Sequence, residues 1–324
     1  MGNLDRGPST DRSGLWTHRD VAGYSVLLTL WLAIIMVSEV LNKEAGRRIK
    51  KISSTAFSPR GLLRQLRDLA QYTDLIYTLS EHRVRVRYKQ SALGLTWAVM
   101  QPLSLMLIYT VIFSRVAKVE TSGEPYAVFV FVGLLPWTCF STAITNGTQA
   151  LTSHGNLISK VYFPREILPL TYLIVALFDF IIALLVLAML MLYYRVTVNF
   201  NALYAIPIIA VMSVFGASMV LFLSATQVRF RDIGVGIPLL LQIWMFATPI
   251  VYPLSAIESL PPFLRFLYMM NPMVGVIENF RRVILQGLAP DFQLAGISAL
   301  ISLVLLPIAY VYFKYIERTA ADVI

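Results

Sequence analysis

Long apolar stretches separated by short polar ones run through this chain. Nothing charged appears from Ala92 until Arg115. As a helix, residues 92–114 rise about 35 Å at ~1.5 Å per residue, enough to cross a hydrocarbon core of ~30 Å. Residues 126–151, 167–194, 203–226, 234–253 and 292–313 have the same character. Together they predict six core transmembrane helices. A further apolar run, residues 21–41, is broken only by Glu39 and followed by Lys43, Arg47, Arg48, Lys50 and Lys51. It predicts an extra N-terminal span; a start of translation at Met36 would remove it. Its basic flank lies on the wrong side for a cleaved signal peptide.

Two regions break the pattern. Leu62, Leu66, Leu69, Thr73, Ile76 and Leu79 recur at three- to four-residue spacing with polar residues between them. That predicts an amphipathic helix at the membrane surface or against a partner. Residues 254–291 are too polar to span, and Pro261-Pro262 and Asn271-Pro272 interrupt them. They predict two short helices dipping back into the outer leaflet, as irregular backbone there is tolerated only against protein or a water-filled cavity. The fold class is therefore an all-α polytopic membrane protein. Residues 1–60 form an N-terminal extension with the 21–41 span. Residues 61–90 form an amphipathic, basic cytoplasmic segment, and 91–324 the transmembrane domain.

Composition supports this reading: 57% of the 324 residues are hydrophobic and only 14% charged, against about 25% charged in a soluble domain. The single cysteine, Cys139, excludes an internal disulfide, and three scattered histidines offer no metal-ligand spacing. The net charge of +9 is distributed by topology, which points to lipid headgroups and not to nucleic acid. Segments assigned to the cytoplasm hold 18 of the 27 Lys and Arg, and acids divide evenly between the two sides. The basic bias fixes the N-terminal end of the 92–114 span as inside.

Catalytic motifs are absent from the sequence: no GxxxxGK[ST], GxSxG or HExxH occurs. Asp179 is the one centrally placed intramembrane charge. Such a carboxylate is either functional or hydrogen-bonded to a neighbouring helix, and one is too few for a proton- or sodium-coupled transporter. The loop 156–169 mixes Lys160 and Arg165 with Leu157, Ile158, Tyr162 and Phe163. Those apolar side chains would be exposed unless docked on something. Arg83, Arg85, Arg87 and Lys89 form a basic strip that is either topogenic charge or a site for a lipid pyrophosphate, because arginine binds phosphate through two donors at once.

Four blocks resemble the permease subunits of ATP-binding-cassette exporters of the O-antigen and teichoic-acid export family. They are RVRYKQSALGLTWAVMQPL, NLISKVYFPREILPL, QVRFRDIGVGIPLLLQIWMFATPIVYP and MNPMVGVIENFRRVILQG. They occur in the family's order across roughly residues 60–318; the first 60 residues depart from it. The resemblance implies a bacterial inner-membrane permease that exports a lipid-linked polysaccharide. It implies a homodimer around a channel, with two copies of a separate ATPase that bind the ATP and magnesium, and no cofactor on this chain. By the same analogy the helix at Leu62–Leu79 lies at the interface. Leu157, Ile158, Lys160, Tyr162, Phe163 and Arg165 couple to the ATPase, and the short helices of 254–291 form a periplasmic gate. The 92–114 and 234–253 spans would line the channel, with Tyr109, Phe113, Trp244, Thr248 and Tyr252 offering faces to the sugar; an aromatic belt against lipid is the plainer reading. A drug or small-lipid exporter shares these features. A membrane glycan polymerase or glycosyltransferase would need clustered catalytic groups, and Glu258, Glu278 and Asp291 are widely spread.

Overall fold

The computed structural model of the chain describes residues 71–89, 94, 96–116, 124–161, 163–257 and 260–320. The N-terminal span 21–41, the first part of the amphipathic helix, Tyr162 and Glu258 lie outside them. Among the described residues all regular structure is helical. Helix α1 spans Thr73–Lys89, α2 Thr96–Tyr109, α3 Tyr126–Thr148, α4 Ala150–Ser153 and α5 Gly155–Lys160. Then come α6 (Ile167–Tyr193), α7 (Ala205–Arg229), α8 (Ile233–Phe246), α9 (Pro262–Met269), α10 (Pro272–Ile284) and α11 (Phe292–Ala320).

Among the described residues, five helices are long and apolar enough to cross a membrane: Thr96–Ser114, Tyr126–Thr148, Ile167–Tyr193, Phe200–Arg229 and Phe292–Glu317. The expected span 234–253 differs. Its helix stops at Phe246, and at 14 residues it rises only about 21 Å. The following residues stay apolar, but their backbone leaves the helix before Pro249. The 254–291 segment contains two short helices, α9 and α10, as its proline breaks predict. Both begin with proline at the first helical position, where its missing N–H costs nothing. Asn271 also caps α10, its side chain accepting from the Met273 N–H.

Helix α3 is the axis of the described helices. Of its most apolar stretch 83% is buried, against 22–39% for the other four long helices. It packs on α6 and α7, and α7 in turn packs on α11. Within lipid the hydrophobic effect does not drive helices together, so close side-chain packing must. Phe140 of α3 and Phe215 of α7 stack nearly parallel with centroids 5.1 Å apart. Gly275 lets α10 touch α11, for a Cβ there would lie 2.9 Å from the Leu294 carbonyl oxygen.

The outward faces fit lipid. Ile174, Phe178, Ile181, Leu185, Met189 and Leu192 of α6 are exposed, as are Leu300, Leu303, Val304 and Ile308 of α11. Helix α2 continues as a π-helix over Thr110–Val116, a widened turn that often marks functional segments.

Candidate functional site

Helix α1 runs from the last positions of the expected amphipathic stripe, Thr73, Ile76 and Leu79, through the basic strip to Lys89. Tyr72, Leu75, Ile76 and Leu79 pack onto a cluster formed by Phe163, Ile167, Leu168, Tyr310, Phe313 and Ile316. One turn on, the Arg83 guanidinium lies 3.5 Å over the Tyr172 ring, and burial pushes its pKa down. Next, Arg87 Nη1 donates to Asp179 Oδ2 at 2.5 Å and Tyr88 Oη to Asp179 Oδ1 at 2.6 Å. Burial is also the main reason that the Tyr88 pKa is pushed up to about 12. Helix α1 thus runs along α6, and Asp179 sits twelve residues inside α6, ~18 Å from its start.

The basic strip is therefore not one uniform surface. Arg85 pairs with Glu81 on the exposed side, Lys89 is exposed, Arg83 is stacked, and Arg87 is the partner of Asp179. Asp179 is hydrogen-bonded to the neighbouring helix α1. Gly94, left-handed at φ +53°, follows α1; a side chain there would be strained.

Beside Asp179 lies a cavity of about 690 Å³ between α1, α2, α3 and α6. Arg87, Tyr88, Trp97, Gln101, Ser104 and Thr142 are among its lining residues.

Among its described residues, the loop 156–169 is only partly exposed. Lys160 and Val161 face outward, and Leu157 and Ile158 are half-buried on the cytoplasmic cluster. Phe163 is 7% exposed and belongs to that cluster, so it fills this chain's own core. Arg165 is paired with Glu317 at 3.8 Å. The buried Glu166, which the sequence did not single out, accepts from Lys314 at 2.7 Å and from Tyr310 Oη at 3.1 Å. The loop is thereby tied to the end of α11.

At the other end, the chain leaving α8 is held by side chains remote in sequence. Arg281 of α10 is 1% exposed. Its Nη2 donates to the Pro249 and Ile250 carbonyls at 2.9 and 3.1 Å, and its Nη1 to Glu278 at 3.2 Å. The guanidinium lies 3.7 Å over the Phe129 ring. Tyr126 Oη donates to the Val251 carbonyl at 2.8 Å, and Asn271 to Thr248 Oγ1 at 3.2 Å. Backbone carbonyls that leave a helix need partners in a membrane, and Arg281 and Tyr126 supply them to Pro249, Ile250 and Val251.

The five expected channel residues gather around this end of α8. Tyr109 is buried and in edge contact with Phe113 and Phe246. Thr248 is fully buried. Trp244 is half-buried, edge-on to Trp137, Phe140 and Phe215. Tyr252 Oη donates to the Phe246 carbonyl and meets Tyr268 Oη at 3.0 Å.

Residues 74–285 match the family of ABC-2 type transporter membrane proteins. The O-antigen export system permease protein RfbA of Myxococcus xanthus is 31% identical over 245 residues, covering 76% of this chain and 93% of that protein. An RfbA of Klebsiella pneumoniae is 26% identical over 260 residues, 79% of this chain and 97% of the relative. The polysialic acid transport protein KpsM of Escherichia coli is 24% identical over 243 residues, 72% and 90% of the two chains. A chain whose described residues are helical, with five membrane-length spans among them, and that aligns with these transport proteins over most of their length belongs to the ABC-2 type transporter family, as a multi-pass protein of the inner membrane.

Proposed function

We propose that this chain is the channel-forming permease of an exporter for lipid-linked polysaccharide, driven by ATP hydrolysis on a separate subunit. The observation that carries the reading is the alignment with polysaccharide export permeases over nine-tenths or more of their length. Two copies of the chain enclose the channel. Their contribution is the weakly packed pair α2 and α8, which leave Ile108, Val111, Ile112, Leu239, Ile243 and Phe246 exposed in the single protomer. Phe113, Trp244 and Tyr252 supply aromatic surface at its outer half, and Tyr109 and Thr248 support it from behind. Aromatic faces pack on the C–H face of a sugar and leave its hydroxyls to water, which avoids the cost of dehydrating them unpaired.

The ATPase docks on the surface around Lys160 and Val161, with Leu157 and Ile158 beneath it. Tyr162 belongs to this contact, and Phe163 and Arg165 hold its base. The chain itself supplies no nucleotide site, and of the basic strip Arg83, Arg85, Arg87 and Lys89 it is Arg87 that keeps donors open to a lipid phosphate, Arg83 being stacked and Arg85 paired with Glu81. Co-purification with the ATPase, followed by turnover measurements with glycolipids, tests the proposal. Turnover should require both subunits and rise with glycolipid. ATP hydrolysis by the purified permease alone, or a complex indifferent to every glycolipid, would overturn it.

A further inference from the structure

We propose that the cavity beside Asp179 receives the phosphate of the lipid-linked substrate, and that this phosphate displaces Asp179 from Arg87. The inference rests on the export reading above and adds where the headgroup is held and how its arrival is sensed.

Of the four basic residues, Arg87 alone combines a place on the cavity with usable donors. The Arg83 terminal nitrogens are buried above Tyr172, Arg85 is bound to Glu81, and neither Arg83, Arg85 nor Lys89 lines the cavity. Arg87 keeps 37% side-chain exposure beside a carboxylate that is 16% exposed. Asp179 takes Nη1, but a guanidinium has five donors, so an edge remains for an incoming anion. The other lining groups, Trp97, Gln101, Ser104 and Thr142, provide an aromatic face, an amide and hydroxyls. This is the chemistry of a phosphate followed by a sugar.

Exchange is favourable because the two phosphates of a lipid-linked diphosphate together carry two negative charges against the carboxylate's one, and a phosphate binds the arginine fork through two oxygens. Asp179 opposes the incoming anion by like charge and so sets a threshold for it; Tyr88 Oη remains its donor. The event alters α1, because Arg87–Asp179 joins that helix to the middle of α6. The opposite end of α1 lies on the cluster that contains Phe163 and packs Leu157 and Ile158 of the coupling loop. Substrate arrival thereby reaches the ATPase-facing surface.

The two single neutralisations must act in opposite directions. In the permease–ATPase complex, turnover is measured against a polyprenyl-diphosphate-linked oligosaccharide. Asp179→Asn should lower the half-maximal concentration about five- to tenfold, the effect of removing one competing partner. Arg87→Gln should abolish the response, and Arg87→Lys, which keeps a cation for Asp179 if the first variant fails to assemble, should need about tenfold more glycolipid. The double variant, whose two amides can still hydrogen-bond, should assemble with the ATPase and show no glycolipid response. A purely structural ion pair predicts that both neutralisations impair the response and that the double variant restores it; that result would sink the exchange. An equal response of the wild type to phosphatidylglycerol vesicles or inorganic diphosphate would sink the assignment to substrate. A wild-type complex that ignores the oligosaccharide lipid would instead remove the export reading beneath it.

Discussion

Replacing Arg281 by methionine keeps most of the side-chain volume and deletes the fork that holds the end of α8. The losses are two bonds to the Pro249 and Ile250 carbonyls, the stack on Phe129, and the bond to Glu278, whose carboxylate keeps 20% exposure and can turn to water instead. Hydrogen bonds to a charged group contribute about 1.5–3 kcal/mol each, and a desolvated cation–π contact about 2 kcal/mol. The gross loss is thus about 5–8 kcal/mol. Against it, the folded state no longer dehydrates a guanidinium, a relief of several kcal/mol. A net destabilisation of about 2–4 kcal/mol remains. At about 2 °C per kcal/mol for a chain of this size, Tm falls by roughly 4–8 °C. Arg281→Lys should not rescue it, because one compact ammonium cannot reach both carbonyls and cover a ring. Thermal unfolding in nanodiscs, followed by tryptophan fluorescence, measures the shift. A methionine variant within 2 °C of wild type would refute the clamp.

Three further outcomes follow from other contacts. Glu166→Gln leaves Lys314 without its shortest ion pair, so the permease should still bind the ATPase but move less glycan per ATP; an unchanged ratio, measured as export against phosphate released, would separate this cluster from coupling. Trp244→Ala removes a ring from the Trp137–Phe140–Phe215 group, which should cost about 3–4 kcal/mol and lower export together with Tm, and Trp244→Phe should recover most of both; full export and an unchanged Tm in the alanine variant would show that the ring contributes to neither. His154 is held below its ordinary pKa, first by burial and then by Arg83. The folded state therefore binds fewer protons than the unfolded, and its contribution is complete above about pH 6.5 and declines as pH falls through that value. His154→Gln should flatten the dependence of Tm between pH 7.5 and 5.5.

Five long helices were legible because unbroken apolarity over twenty or more residues has few other uses. The end of α8 was not. ATPIVYP stays apolar, so hydropathy runs through the point where the helix stops, and the groups that let it stop sit on α3 and α10. Arg281 lies in a segment too polar to span, and its burial depends on a partner backbone some thirty residues away. Asp179 stood out as a lone intramembrane carboxylate, but Arg87 had been counted with a surface strip. Sequence spacing places a residue on a helix face and cannot say which helix that face meets. Phe163 shows the same limit: its apolar character was visible, and the structure shows that it fills the permease's own cluster.

The deep burial of α3 separates two kinds of tolerance to change. On α6 and α11, exposed Leu, Ile, Met and Phe need only remain apolar, so exchanges among them should leave the fold intact. On α3 the demand is one of shape. A methyl group added at Gly133 would sit 2.9 Å from Arg281 Nη2, and one at Gly147 would collide with Val220. A library that randomises apolar positions among apolar residues should therefore return a narrow set on α3 and a wide one on α6. For redesign, the lipid-facing helices can be rewritten and α3 should be copied.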